Sequence, residues 1–210
     1  MAFSKKNVAA EATIQLQRLV DKEVEVTIKG LTPYIPHQWS EKSKKMMPGH
    51  PEGDTVKTKK GLRKPEEEAE SCVYRLPDGR AGIPATAIKA AMVAACRFFD
   101  KPSMVEAKTI LFVQGEGDGP YQLVPIQGDE VLREDTARNA NGGADLRYRY
   151  EIRNWSATVT VRFIPSSISE GSVIALLDAA GRVGVGDWRP SAPKSSTGIF
   201  GTFRVEVEYE

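Results

Sequence analysis

The residues most able to do chemistry fall into a few groups. Residues 181–203 read Gly-Arg-Val-Gly-Val-Gly-Asp-Trp-Arg-Pro-Ser-Ala-Pro-Lys-Ser-Ser-Thr-Gly-Ile-Phe-Gly-Thr-Phe. The glycines permit positive φ and close backbone approach. Trp188, Arg189 and Lys194 add a flat aromatic surface and two positive charges. Exposed amides, cations and a stacking plane together suit a phosphate backbone carrying unstacked bases. The same glycines also fit a helix end followed by a loop that packs Trp188 inward, and both readings stay open.

A second group interleaves Arg133, Arg138, Arg147, Arg149 and Arg153 with Tyr148, Tyr150 and then Trp155. Arginine among aromatics grips single strands through charge pairing and base stacking; its plainer reading is a solvent-facing strand with ordinary cross-strand pairs. A third group lies in residues 40–70, where apolar residues almost vanish. Lys42, Lys44, Lys45, Lys57, Lys59, Lys60, Arg63 and Lys64 come first, and Glu66, Glu67, Glu68 and Glu70 follow. Such a segment builds no core and is expected to be a long, mobile excursion. It is either a solvated loop or a finger that becomes ordered on a polyanion.

Of the two histidines, His50 falls in this excursion, whereas His37 follows the first strand near Tyr34 and Lys42. His37 is a candidate general base for metal-free RNA cleavage. No Ser-His-Asp set, HExxH, Walker loop or cysteine cluster appears. Asp129, Glu130, Glu134 and Asp135 read as a solvated turn rather than a metal site. No cofactor and no metal are expected.

Composition sets the bounds. With 210 residues, 40% of them hydrophobic and 27% charged, the chain suits one large domain or two small ones. A net charge of +1 supplies no global attraction for nucleic acid, so any such site is a local basic surface. Cys72 and Cys96 have no metal spacing, and Cys96 reads as a small buried residue in a helix. The first residues lack an apolar signal core, and no run approaches the ~18 apolar residues of a membrane span. The expectation is a cytoplasmic protein with no membrane partner.

These groups must be positioned by a small set of elements. Residues 8–20 read as a helix with Ala12, Leu16 and Leu19 on one face, or as an arm that docks on a neighbour. Residues 23–29 alternate strictly, with Val24, Val26 and Ile28 on one side, and predict a half-buried strand. Residues 31–39 hold too many prolines for a central strand. Residues 72–76 predict a short strand ending in a Pro-Asp-Gly turn. The strongest helix opens at Gly82-Ile83-Pro84-Ala85, with Pro84 at its first position and Ile88, Ala91, Met92, Ala95 and Phe99 as its buried stripe. Residues 108–114 and 121–126 read as strands, the latter an edge because of Pro125. Residues 156–164 alternate with Ala157, Val159, Val161 and Phe163 inward, and Ser169 caps the next helix. The order approximates β-α-β-β-α-β: an α+β, ferredoxin-like (RRM-like) antiparallel sheet with two helices and a long thumb-like insertion. Residues 1–22 form the N-terminal helix or arm, and residues 23–210 one domain containing the insertion at 40–70.

Two segments together resemble a known family. Gly82-Ile83-Pro84-Ala85-Thr86-Ala87-Ile88-Lys89-Ala90-Ala91 resembles the I-P-G-S-S-L-K-G opening of the first helix in CRISPR backbone subunits of the RAMP superfamily. Residues 184–203 resemble that superfamily's glycine-rich loop and final strand. The pattern is also similar to a group of phage proteins that share a Pro-Tyr/Leu…His stretch, an Ile-Pro-Ala helix start and a Gly-x-Gly-Asp-Trp-Arg-Pro ending. Ala85 and Ala87 depart from the family's helix start, Thr86 and Lys89 keep to it, and residues 188–197 lengthen the loop. The resemblance implies an RRM-like core that binds single-stranded RNA and stacks into filaments.

The leading expectation is a non-catalytic protein that binds single-stranded nucleic acid, RNA favoured over DNA, and self-assembles along it. Arg147, Arg149, Arg153, Arg189, Lys194 and the insertion lysines (Lys42, Lys44, Lys45, Lys59, Lys60) pair with phosphates. Trp188 stacks on a base, and Thr86 with Lys89 holds phosphate at a helix N-terminus. Other phage or CRISPR-type proteins are further partners. The alternatives are a structural assembly protein without nucleic acid, and a ribonuclease using His37.

Overall fold

The computed structural model describes residues 18–39, 44–45, 47, 63–119, 121–138 (backbone alone at 137–138), 143–193 and 196–206. Strand β1 (Lys22–Gly30) carries the predicted alternation, with Val26 and Ile28 buried and Glu25 and Lys29 exposed. The chain then passes a short helix α1 (Pro65–Glu70), strand β2 (Gly82–Pro84) and helix α2 (Ala85–Ala95). Helix α3 (Met104–Ile110), strand β3 (Leu111–Gln114), strand β4 (Leu123–Pro125) and strand β5 (Gln127–Arg138) follow. Strand β6 (Ala144–Phe163), helix α4 (Glu170–Val183) and strand β7 (Phe203–Val205) complete the order.

The main sheet runs β3-β6-β1-β7, antiparallel throughout, with β5 also paired to β6. β2 and β4 form a separate two-stranded ribbon. The described chain is thus α+β with an antiparallel sheet and four helices. One sheet face presents Val26, Ile28, Val159, Val161 and Phe163 to Ile88 and Met92 of α2 and to Val173 and Leu177 of α4, all buried in one cluster. Each such side chain contributes roughly 1.5–3 kcal/mol on burial. Among the described residues no helix is long and apolar enough to cross a membrane.

β6 is the spine of the molecule. Its C-terminal half pairs with β1 and β3, and its N-terminal half forms a hairpin with β5. The exchange of partners falls where Asn154 has positive φ and the β5 register shifts between Gln127 and Asp129. Trp155 fills this corner completely, donating from Nε1 to the Thr32 carbonyl at 2.8 Å and meeting Tyr34 and Phe203 with ring centroids at 6.1 and 5.9 Å. A Cβ on Gly30 would stand 2.2 Å from the Trp155 nitrogen, which explains the glycine. Trp155 is therefore a core residue and not one of the aromatics offered to a strand.

Several elements depart from the sequence reading for identifiable reasons. Pro84 closes β2 and caps α2 instead of entering its first turn. The helix tightens into a 3-10 turn at Cys96–Phe98, which shifts the phase and leaves Phe99 exposed. A capping box at Ser103 and Glu106 nucleates α3 where a strand was expected from residue 108. Residues 72–76 make only an isolated bridge, Arg75 to Ala81, around the predicted turn. The acidic end of the 40–70 excursion is helix α1, with Ala69 buried and an ion pair from Arg63 to Asp145 at 3.3 Å tying its start to β6. Asp129, Glu130, Glu134 and Asp135 lie on β5 and not in a turn. The helix or arm expected over residues 8–20 lies outside the described residues except at 18–20, where no helix forms.

Candidate functional site

The two segments that carried the family resemblance meet at one place. A cleft of about 400 Å³ opens between α2 and the loop that follows α4. Pro84, Ala87, Ala91 and Ala94 form one wall, and residues 183–187 with Arg189 form the other. Tyr34 closes the back, while His37, Tyr74 and Arg97 stand around it. The alanines recur every three or four residues, so they share one face of the helix and leave room that larger side chains would fill.

The glycine loop owes its composition to packing within the protein. Gly186 has φ +79°, and a Cβ there would lie 2.5 Å from the Ile35 carbonyl and 2.6 Å from the Tyr34 ring. Gly201 has φ +67°, with its would-be Cβ 1.8 Å from the Val185 carbonyl. Gly184 caps α4. The expected open amides are engaged: those of Gly184, Val185 and Asp187 donate to Ala180, Gly201 and Ile35 carbonyls, and that of Trp188 to Asp187 Oδ1.

Trp188 is likewise engaged. The Arg149 and Arg133 guanidinia lie 5.1 and 5.4 Å from its ring centroid, and Phe200 packs beside it at 6.1 Å. It is half-buried, neither a bare platform nor a fully enclosed plug. Arg149 is 2% exposed and ion-pairs with Asp187. Its guanidinium thus bridges β6 and the loop, while Arg149 also lines a cleft with His37. Arg153 is bound to Glu151 at 2.6 Å, and Glu151 also takes Arg133 at 2.9 Å. Arg189 turns into its own loop, donating to the Gly186 carbonyl at 2.8 Å and to Ser191 Oγ at 3.1 Å.

His37 links this network to the cleft. Its Nδ1 lies 3.6 Å from Asp187 Oδ2. Burial lowers its pKa below the ordinary histidine range, opposed by Asp187 and reinforced by Arg149 and Arg147. A neutral imidazole beside a carboxylate is chemically able to accept a proton. His37 also lines a second cleft of about 370 Å³ with Trp39, Cys72, Arg147, Tyr148 and Arg149. Trp39, 53% exposed, meets the His37 ring edge-on at 6.1 Å. His37 lines both clefts.

Of the other expected site residues, Arg147 lines the second cleft. Thr86 is exposed on the first turn of α2, and Lys89 donates to the Lys108 carbonyl at 2.9 Å beneath the Phe112 ring; neither lines the first cleft. Lys44 and Lys45 sit in a helical turn. Lys42, Lys59, Lys60 and Lys194 lie outside the described residues. Sequence reasoning missed Tyr34, Trp39, Tyr74 and Arg97 as cleft residues. The spacing Ala87, Ala91, Ala94, Arg97 was the available signal: a helix face with no large residue and a cation at its end. Among the described residues no three histidine, cysteine or acidic side chains converge as metal ligands.

No protein-family model matches the chain, and no curated protein matches it. Among solved structures, one chain of a type III-B Cmr-beta complex bound to cognate target RNA is similar over 89% of this chain. The identity is 12% and the TM-score 0.47, and the match spans 59% of that chain's length.

Proposed function

We propose that this protein binds single-stranded nucleic acid without cleaving it, RNA in preference to DNA, and assembles along the strand. The observation that carries the reading is the pair of clefts that share His37, one between α2 and the glycine loop with Arg97, the other with Trp39, Tyr148 and Arg147. Aromatic planes together with cations are what an unstacked strand requires. The strand order β3-β6-β1-β7, with helical crossovers from β1 to β3 and from β6 to β7, supports a ferredoxin-like core of the RAMP type.

Fluorescence anisotropy with a labelled single-stranded RNA and its DNA counterpart tests this. Arg147→Ala weakens binding to all sequences and flattens the salt dependence by about 0.7 in log–log slope. Trp39→Ala costs about 1–3 kcal/mol of binding with the slope kept. Purified protein that carries no nucleic acid and binds neither probe overturns the reading. The His37–Asp187 contact favours a second reading, a metal-free ribonuclease; turnover of RNA that His37→Ala abolishes would establish it. A cluster of exposed apolar side chains, Phe98, Phe99, Met104 and Val105, favours a protein partner and supports the assembly role.

A further inference from the structure

We propose that the cleft between α2 and the 183–191 loop is a pocket for one nucleotide, its base against the alanine wall and its phosphate at Arg97 and Arg189. The choice of a nucleotide among anionic ring compounds rests on the function proposed above; the pocket itself rests on four observations.

First, Tyr34 is 1% exposed and lines the cleft, so its phenol is a polar group within the lining. A hydroxyl in the lining of a largely apolar cleft is a group that fixes a ligand's orientation by hydrogen bonding. Burial raises the Tyr34 pKa far above the ordinary phenol value, so the group remains a neutral donor and acceptor. Second, much of the lining is apolar, made by Ala87, Ala91 and Ala94 of α2 with Val183 and Val185 of the loop side. A planar ring lies against such a surface while its polar edge reaches the phenol.

Third, the remaining groups select an anion. Asp187 is committed to Arg149 and His37. Arg97 spends only Nε, on the Ala94 carbonyl at 2.8 Å. Arg189 spends Nε and Nη1, which leaves Nη2 available. Two guanidinium edges therefore remain for a phosphate, the anion their fork geometry fits. Fourth, about 400 Å³ lies at the small end of ligand sites, roughly 300–1,000 Å³, and suits one nucleotide and not two.

The experiment is calorimetric titration of the full chain with the four nucleoside 5′-monophosphates, the matching nucleosides and ribose 5-phosphate. At least one monophosphate binds with a submillimolar Kd and more tightly than its nucleoside or ribose 5-phosphate. Ala94→Leu, which fills the cleft from a half-buried position, weakens it at least tenfold. Tyr34→Phe weakens it about 2- to 10-fold. In Arg97→Ala the advantage of the monophosphate over the nucleoside shrinks. Should Ala94→Leu compromise folding, judged by circular dichroism, Ala87→Leu replaces it. No binding of any monophosphate to the wild-type chain at millimolar concentration overturns the proposal, as does unchanged affinity in the filled variants. Anisotropy with the labelled strand separates the two ideas. Strand binding without monophosphate binding removes the pocket alone. Monophosphate binding without strand binding removes the broader function and leaves the pocket.

Discussion

The Arg149–Asp187 pair gives the sharpest prediction about what holds the site together. Arg149 is 2% exposed and Asp187 is partly exposed; their ion pair joins the middle of β6 to the loop after α4. Asp187→Ala leaves a guanidinium enclosed beneath Trp188 with its counter-ion gone. Removing one partner of a buried pair costs about 3–5 kcal/mol, because the surviving charge stays desolvated. The 25% exposure of the Asp187 side chain admits some water, which places the expected loss at the lower end, about 3 kcal/mol. With a urea m-value of about 2 kcal/mol/M, the unfolding midpoint falls by about 1.5 M. Arg149→Met is expected to cost less, since a long apolar side chain still packs on Trp188 and Asp187 can turn to solvent. The double variant Arg149→Met/Asp187→Ala should be more stable than Asp187→Ala alone. Urea titrations of the four proteins measure all of this. A loss below about 1 kcal/mol in Asp187→Ala, with additive effects in the double variant, would refute the reasoning, since additivity means the two side chains do not interact.

Gly201→Ala combines positive φ with a Cβ 1.8 Å from the Val185 carbonyl, so a loss above about 4 kcal/mol, or failure to yield folded protein, is expected on expression and thermal melting. Ser169→Ala removes the α4 cap, whose Oγ accepts from the Ser172 amide at 3.2 Å, and should cost about 1 kcal/mol in the same melt. His37 has a folded-state pKa below its unfolded value, so the unfolded chain takes the proton first. Its contribution is complete above about pH 6.5 and is lost as pH falls through the folded pKa. His37→Gln should flatten the urea midpoint against pH in that window, and a His37 that titrates above about 6.5 by NMR would contradict the assigned burial.

The parts of the fold that were legible in the sequence are those set by local pattern. Period-2 alternation located β1 and the second half of β6, and Ser169 located the start of α4, because burial on one sheet face and a free helix amide each demand a particular residue type nearby. What failed depended on partners distant in sequence. Arg147, Arg149, Glu151 and Arg153 share one parity on β6, so Glu151 among them already signalled neutralisation on that face. The antiparallel register then sets Arg133 opposite Arg149 and Asp135 opposite Arg147. Asp187, 38 residues beyond Arg149, completes the network and leaves no local trace. Trp155 was misread for the same reason: its cavity is made by Gly30, Thr32, Tyr34 and Phe203.

This internal pairing determines what any ligand meets. The chain carries 29 basic and 28 acidic residues, so attraction for a polyanion depends on which cations escape local neutralisation. On the β5–β6 hairpin Arg133, Arg149 and Arg153 are paired with Asp135, Glu151 and Asp187. These pairs tie β5, β6 and the loop after α4 together. At the clefts Arg97, Arg147 and one edge of Arg189 remain, beside Trp39, Tyr74 and Tyr148. Among the described residues, these three cationic groups would contribute about 2 to the log–log salt slope of the proposed strand binding. In the strand binding proposed above, aromatic surfaces would hold the bases and these guanidinia the backbone.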